Sequence, residues 1–111
     1  MYKKLLLSLV FSIASVSALA ETVWIDVRSA GEFNSGHIEG ALNIVYSDIV
    51  AGVREQGIDK DDQIMLYCRS GRRSGIATDA LLQAGWTGAV NRGGYAALIE
   101  AGYKSVLVDP Q

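Results

Sequence analysis

Segments rich in β-branched and aromatic residues alternate along the chain with segments of helical periodicity. The first kind predicts strands at residues 22–27, 41–46, 63–67 and 88–90. The second kind predicts helices at 48–56, 74–84 and 95–101, with Ser47 as a cap for the first and Gly57 and Gly85 as stops. A polar run over 28–36 interrupts the pattern, and Gly93-Gly94 predicts a turn. Strands alternating with helices indicate an α/β fold with a mostly parallel sheet flanked by helices.

Within the predicted helix 74–84, apolar side chains recur at helical spacing. Ile76, Ala80 and Leu81 are expected to form its buried face. The sequence shows no internal repeat and no linker that would separate a second domain. One domain over residues 21–111 is therefore predicted.

Residues 1–20 have the pattern of a secretory signal peptide. Lys3 and Lys4 form a short basic start, an apolar stretch covers 5–16, and Ala18-Leu19-Ala20 matches a signal-peptidase site. The alternative is a retained membrane anchor, but the apolar stretch is shorter than the about 20 residues that span a bilayer. We therefore expect cleavage after Ala20, an exported protein and no stable membrane anchor.

The net charge of the predicted domain excludes some classes of binding partner. Without Lys3 and Lys4, eight basic residues remain against 12 acidic ones, a net charge of −4. Such a domain is not typical of nucleic-acid or anionic-membrane binders. Three of the remaining positive charges lie together at 69, 72 and 73, which indicates a local site for a small anion.

Cys68 is the only cysteine in the chain, and it opens this arginine-rich segment. A buried strand that ends at Cys68, followed by a helix that begins near Ser74, would direct main-chain N–H groups toward the sulfur. Oriented amides, a helix N-terminus and nearby guanidinium groups all favour thiolate over thiol. The alternative is an inert buried cysteine, which would not need arginine neighbours. We therefore predict that Cys68 is reactive.

Three stretches of the sequence together resemble the rhodanese family of sulfurtransferases, and most closely its small exported phage-shock type. They are D-V-R (26–28) with E-F (32–33) and G-H-I-E-G-A-L-N-I (36–44), C-R-S-G-R-R (68–73), and N-R-G-G-Y (91–95). Each stretch is weak alone, but their order and spacing are specific. A secretory leader on such a protein suggests a periplasmic location.

This resemblance implies a rhodanese-like fold and a two-step reaction. The Cys68 thiolate would take the outer sulfur of an anionic donor such as thiosulfate, and the persulfide would pass it to cyanide or a thiol. The resemblance implies that the substrate-binding residues lie in the active loop, and they are Arg69, Ser70, Gly71, Arg72 and Arg73.

The sequence contains other residues whose side chains could take part in chemistry, and for these we predict structural roles. Asp26 and Arg28 are expected to orient the loop from behind it, with a surface ion pair as the alternative. His37, the only histidine, is expected to make a structural hydrogen bond. No zinc, nucleotide or haem pattern occurs, so neither a cofactor nor a metal site is predicted.

Two other functions compete with sulfur transfer. A phosphatase or arsenate reductase would also use a cysteine loop, but those loops place five residues between cysteine and arginine. Here four residues separate Cys68 from Arg73. The other alternative is a non-catalytic module that binds sulfur species or a partner protein, for which the cysteine with its arginines would be unnecessary.

Overall fold

The computed structural model of the chain describes residues 20–108. The predicted signal peptide, apart from Ala20, lies outside the described residues. The elements in chain order are β1 (Thr22–Asp26), α1 (Ala30–Asn34), β2 (His37–Ile38), β3 (Leu42–Asn43), α2 (Ile49–Glu55), β4 (Gln63–Cys68), α3 (Arg72–Gln83), β5 (Ala89–Gly94), α4 (Tyr95–Glu100) and β6 (Ser105–Val106). A 3₁₀ turn, Tyr46–Asp48, precedes α2.

Four of the strands form one parallel sheet in the order β3-β1-β4-β5. The two short strands β2 and β6 pair antiparallel beside it. The predicted α/β fold with a mostly parallel sheet flanked by helices is confirmed. Since β4 lies between β1 and β5, the carboxyl end of β4 is the centre of one sheet edge, where ligand sites collect in such folds.

The sheet is covered by apolar side chains on both faces, as parallel sheets require. Alternation along β4 sends Ile64, Leu66 and Cys68 to the face that packs on α2 and α3. Tyr67 points to the opposite face, where it packs with Ile38, Ala41 and Leu98. Cys68 is therefore anchored by a strand that is buried from Ile64 onward.

Two expected strands differ in extent. The predicted strand 41–46 is shorter, since β3 covers only Leu42–Asn43 beside β1. Beyond β3, the N–H groups of Ile44 and Tyr46 still donate to the carbonyls of Asp26 and Val27. The predicted turn at Gly93-Gly94 is wrong, since β5 continues through Gly94, which pairs with Cys68 after a register shift. A Cβ at Gly94 would lie 2.6 Å from the carbonyl oxygen of Arg69, so glycine here permits close approach of two backbones.

Two helices also differ from expectation. Helix α3 begins at Arg72 rather than Ser74, and its buried side chains include Ala77 and Leu81, whereas Ile76 is exposed. Helix α1 was not predicted. It begins with a capping box in which Ser29 and Glu32 exchange hydrogen bonds. The sequence S-A-G-E (29–32) has the S-x-x-E pattern that is typical of such a box.

Among the described residues, no helix has the length and apolar character needed to cross a membrane.

Candidate active site

Cys68 is the last residue of β4 and is fully buried. The next three residues form a tight loop that leads directly into α3. Gly71 makes this possible because its φ of +101° lies in the left-handed region that other residues disfavour. The loop folds back over the sulfur as the sequence predicted.

Three hydrogen-bond donors surround the Cys68 sulfur. The Gly71 N–H donates to Sγ at 2.9 Å, and the N–H and hydroxyl of Ser74 lie 3.4 Å from Sγ. Burial favours the neutral thiol, but the hydrogen bonds from Ser74 and the loop amides outweigh it and lower the pKa of Cys68. The site thus favours an anionic sulfur mainly through hydrogen bonds from uncharged donors.

Asn91 of β5 ties the loop to the sheet. Its Nδ2 donates to the Gly71 carbonyl at 3.0 Å, and its Oδ1 accepts from the Ser74 hydroxyl at 2.7 Å and from the Gly93 N–H at 2.9 Å. Asn91 lies in the N-R-G-G-Y stretch (91–95), but its role could not be predicted from the sequence. Its partners Gly71 and Ser74 are 20 and 17 residues away in the chain, and the sheet brings them together.

A cleft of about 390 Å³ opens beside the loop, and its lining residues are Arg28, Glu32, Ser35, Arg69, Tyr95 and Ala96. Arg69 is exposed, and its guanidinium makes no hydrogen bond or ion pair with any of residues 20–108. Its charge is therefore available to an anion in the cleft. Arg72 and Ser70 are also exposed.

Arg73 is already bound. Its two terminal nitrogens donate to the two carboxylate oxygens of Glu32 at 2.9 and 3.2 Å. The Arg73 hydrogen bond, reinforced by those from Ser29, lowers the pKa of Glu32 to about 2. Glu32 lies in the E-F stretch (32–33) of the sequence, which gave no sign of this ion pair. That Arg73 binds substrate stays a prediction, and its guanidinium already has Glu32 as a partner.

Asp26 and Arg28 bind each other. The Arg28 Nε and terminal nitrogen donate to the Asp26 carboxylate at 2.6 to 3.0 Å, and Arg28 also donates to the Gly36 carbonyl at 2.6 Å. Both residues are buried, so the surface ion pair considered from the sequence is not what the structure shows. Arg28 packs over the Tyr95 ring at 4.5 Å and lines the cleft together with Arg69 of the loop. That the pair orients the loop stays a prediction.

His37 lies away from the sulfur. Its ring stacks on Phe33 with centroids 3.6 Å apart, and Nδ1 hydrogen-bonds the Phe33 carbonyl at 3.0 Å. These contacts fit the structural role expected from the sequence. Within the part of the chain that the structure describes, no three His, Cys, Asp or Glu side chains cluster to hold a metal ion.

Comparison with known proteins places this geometry in a family. The Rhodanese-like domain profile matches residues 13–101. The thiosulfate sulfurtransferase PspE of Escherichia coli K12 is 36% identical over 94 residues, covering 85% of this chain and 89% of that protein. Thiosulfate sulfurtransferase 16 of Arabidopsis thaliana, a chloroplastic protein, is 37% identical over 76% of this chain and 79% of its own length.

Solved structures agree with the sequence matches. A structure described as a rhodanese with anions from E. coli superposes with a TM-score of 0.71 at 31% identity, covering 78% of this chain and 99% of that one. A rhodanese-related protein from Thermoplasma volcanium gives a TM-score of 0.65 at 32% identity, covering 78% of this chain and 85% of that one. Fold, loop and sequence together show that this chain belongs to the rhodanese family.

Proposed function

We propose that the protein is a thiosulfate sulfurtransferase in which Cys68 carries the transferred sulfur as a persulfide. The observation that carries this proposal is the set of three donors around Cys68 Sγ at the start of α3. Relatives that match most of the chain bear the name thiosulfate sulfurtransferase, which supports the same reaction class.

In the first half-reaction, the Cys68 thiolate attacks the outer sulfur of thiosulfate. A sulfur–sulfur bond forms to Cys68, the bond within thiosulfate breaks, and sulfite leaves with the bonding electron pair. In the second half-reaction, cyanide or a thiolate attacks the outer sulfur of the persulfide. The Cys68 thiolate is then the leaving group and is ready for another cycle.

The loop and the cleft have separate tasks in this mechanism. The N–H groups of the loop stabilise negative charge on the sulfur, and Arg69 attracts the donor anion into the cleft. Ser70, Gly71 and Arg72 complete the loop that contacts the donor, while Arg73 is held at its edge by Glu32. Because Cys68 is fully buried, the atoms around it must shift for the donor to reach the sulfur.

Loop length argues against phosphate chemistry. Four residues lie between Cys68 and Arg73, and that arginine is bound to Glu32 instead of pointing into an open oxyanion cradle. A phosphatase or arsenate reductase is therefore the weaker candidate. A non-catalytic binding module is also disfavoured, because binding alone gives no reason for a cysteine with a lowered pKa.

Intact-mass analysis tests the proposal directly. The purified protein incubated with thiosulfate should gain the mass of one sulfur atom and lose it again on addition of cyanide. The Cys68→Ser variant should fold and gain nothing. A wild-type protein that never acquires sulfur, or a serine variant that transfers it, would contradict the mechanism.

We also propose that the protein is exported and begins at Glu21 after cleavage. The signal-peptide pattern supports this, and so does the position of β1, which starts at Thr22 immediately after the predicted site. N-terminal sequencing of the protein recovered from a periplasmic fraction should read Glu-Thr-Val. Recovery of the chain with Met1 intact would contradict the proposal.

A further inference from the structure

The Ser74 hydroxyl has one hydrogen and two acceptors within reach. Its oxygen is 2.7 Å from Asn91 Oδ1 and 3.4 Å from Cys68 Sγ, and Ser74 itself is fully buried. A hydroxyl can donate to only one of the two at a time. The direction of this single hydrogen therefore affects how well an anionic sulfur is stabilised.

The orientation of the Asn91 amide is fixed by the backbone. Its Nδ2 faces the Gly71 carbonyl, which can only accept, and its Oδ1 faces the Gly93 N–H, which can only donate. Exchanging the two amide atoms would leave both contacts unsatisfied. The atom that faces Ser74 is thus an acceptor, and it competes with the sulfur for the hydroxyl hydrogen.

We propose that Asn91 is a positioning residue that holds the Ser74 hydroxyl hydrogen while the Cys68 sulfur is neutral and yields it to the sulfur when the sulfur is anionic. With a neutral thiol, the S–H donates to the free lone pair of the Ser74 oxygen. When the thiol proton leaves to solvent, rotation about the Ser74 Cβ–Oγ bond turns the hydroxyl hydrogen toward the sulfur. No proton passes through Ser74.

In catalysis this exchange rests on the proposed function of Cys68. The Cys68 Sγ is anionic twice in each cycle, once as nucleophile and once as leaving group. In the persulfide between them Sγ carries no formal charge, because the negative charge lies on the outer sulfur. Asn91 therefore tempers the stabilisation of the thiolate. A thiolate of very low pKa is a weaker nucleophile but a better leaving group, so an intermediate pKa is a compromise between the two half-reactions.

Other charges near the sulfur must be considered before a pH effect is assigned to Asn91. Arg73 of α3 is close enough for the sulfur to act on its pKa, and it is paired with Glu32 of α1. Arg69 and Arg72 flank the loop. On β5, Arg92 lies next to Asn91 but packs against Trp24 at 5.1 Å. None of these groups contacts the Ser74 hydroxyl.

A double-mutant cycle on alkylation of Cys68 tests the proposal without requiring sulfur transfer, so it separates this inference from the proposed function. When the rate of Cys68 alkylation is plotted against pH, the midpoint of the curve reports thiolate formation. The plateau at high pH reports how easily the alkylating reagent reaches the sulfur. Asn91→Leu removes the acceptor that competes for the Ser74 hydroxyl hydrogen, and the apolar leucine side chain keeps a water molecule from taking its place. Its alkylation rate below the midpoint should rise about two- to tenfold as thiolate forms more easily.

Ser74→Ala should lower the same rate about tenfold, since it removes a hydrogen bond to the anion. Added to Ser74→Ala, the Asn91→Leu change should have no further effect on the midpoint. Asn91→Asp retains the acceptor oxygen and should not raise the rate in either background. If Asn91→Leu shifts the alkylation midpoint equally with and without the Ser74 hydroxyl, Asn91 only stabilises the loop conformation. This result would overturn the proposal.

Nuclear magnetic resonance of the unmutated protein gives a second test in case Asn91→Leu does not fold. The Asn91 side-chain amide signals should titrate with the same midpoint as Cys68 alkylation and should lose this titration in Ser74→Ala. Asn43, whose Nδ2 is held by the carbonyls of Asp26 and Arg28, is the matched control and should not follow the titration. An Asn91 signal that is constant through the Cys68 midpoint would also overturn the proposal.

Discussion

At the scale of single residues, the arginines of the active loop differ in what already binds them. Arg69 lines the cleft and has no partner among residues 20–108, whereas Arg73 is held by both oxygens of Glu32. An anionic donor entering the cleft therefore meets Arg69 as a free charge, and it meets Arg73 as half of a neutral pair.

We predict that Arg69→Ala lowers kcat/KM for thiosulfate about ten- to a hundredfold, because a charge-assisted hydrogen bond is worth roughly 1.5–3 kcal/mol. The loss should be much smaller for a neutral sulfur donor. Lys104→Ala, which removes an exposed positive charge outside the loop and the cleft, is the control and should change the rate little. Equal losses on charged and neutral donors would mean that Arg69 shapes the loop instead of binding the donor.

The Glu32–Arg73 pair predicts a dependence of stability on pH. The hydrogen bond from Arg73 lowers the pKa of Glu32 to about 2, below its ordinary value of 4.5. A carboxylate with a depressed pKa contributes stability above its ordinary pKa, and that contribution is lost as the pH falls toward 2. Since the Glu32 side chain is 30% exposed, solvent screening limits the contribution to about 1 kcal/mol.

Glu32→Gln should therefore lower the free energy of unfolding near pH 7, and its difference from wild type should shrink between pH 4.5 and 2. Urea unfolding at several pH values measures this. Glu39→Gln changes an exposed carboxyl whose side chain makes no hydrogen bond within residues 20–108 and should show no such trend. A Glu32→Gln deficit that is constant with pH would contradict the ion-pair explanation.

At the scale of secondary-structure elements, the site depends on how closely β5 approaches the loop after β4. Gly94 lies under this loop, and a Cβ there would be 2.6 Å from the Arg69 carbonyl oxygen and 3.3 Å from Ser70 Cα. Backbone atoms cannot yield as a flexible side chain can. Any larger residue at position 94 must push the loop or β5 aside.

Gly94→Ala should therefore destabilise the fold by about 1–3 kcal/mol. It should also raise the pH midpoint of Cys68 alkylation, because displaced amides no longer stabilise the thiolate. Thermal unfolding and alkylation against pH measure the two effects. Gly31→Ala, in α1 with open space around it, should leave the midpoint unchanged and stabilise the helix by up to about 1 kcal/mol. An unchanged midpoint in Gly94→Ala would show that the loop does not depend on this contact.

At the scale of the whole molecule, the predicted cleavage site lies next to the end of the sheet at which β1 and β4 begin. The Glu21 N–H donates to Asp62 Oδ1 at 3.0 Å, and Asp62 is buried with its other oxygen bound to the Asp59 N–H. If cleavage follows Ala20, the Glu21 amide becomes a charged ammonium group at this position. Processing would then turn a neutral donor into one half of an ion pair.

We expect Asp62→Asn to cost the chain that begins at Glu21 more stability than it costs the uncleaved chain. The carboxylate makes a charge-assisted hydrogen bond in both forms, and the new ammonium group adds an attraction between opposite charges, so the extra loss should be up to about 1 kcal/mol. Urea unfolding of both forms, with the exposed Asp61→Asn as control, measures the difference. The same loss in both forms would show that the new terminus does not pair with Asp62.

Features that depend on near neighbours in the chain could be predicted from the amino-acid sequence alone. Strand β4, the loop that begins at Cys68 and helix α3 all follow from apolar runs and glycines that are local in the chain, and so does the lowered pKa of Cys68, whose donors lie within six residues. Helix α1 was equally readable from its Ser29–Glu32 capping box. The relation to rhodaneses also rested on local motifs, and the comparisons confirmed it.

The partners that these residues have in distant parts of the chain became visible only in the folded protein. Glu32 and Arg73 are 41 residues apart, and Ser74 and Asn91 are 17 apart. Such contacts arise because parallel strands bring distant segments to one sheet edge, and no periodicity in the sequence encodes them. The extent of β5 through Gly94 likewise depended on the approach of another backbone. The sequence therefore predicted the reactive cysteine, while packing determined which charges around it are free.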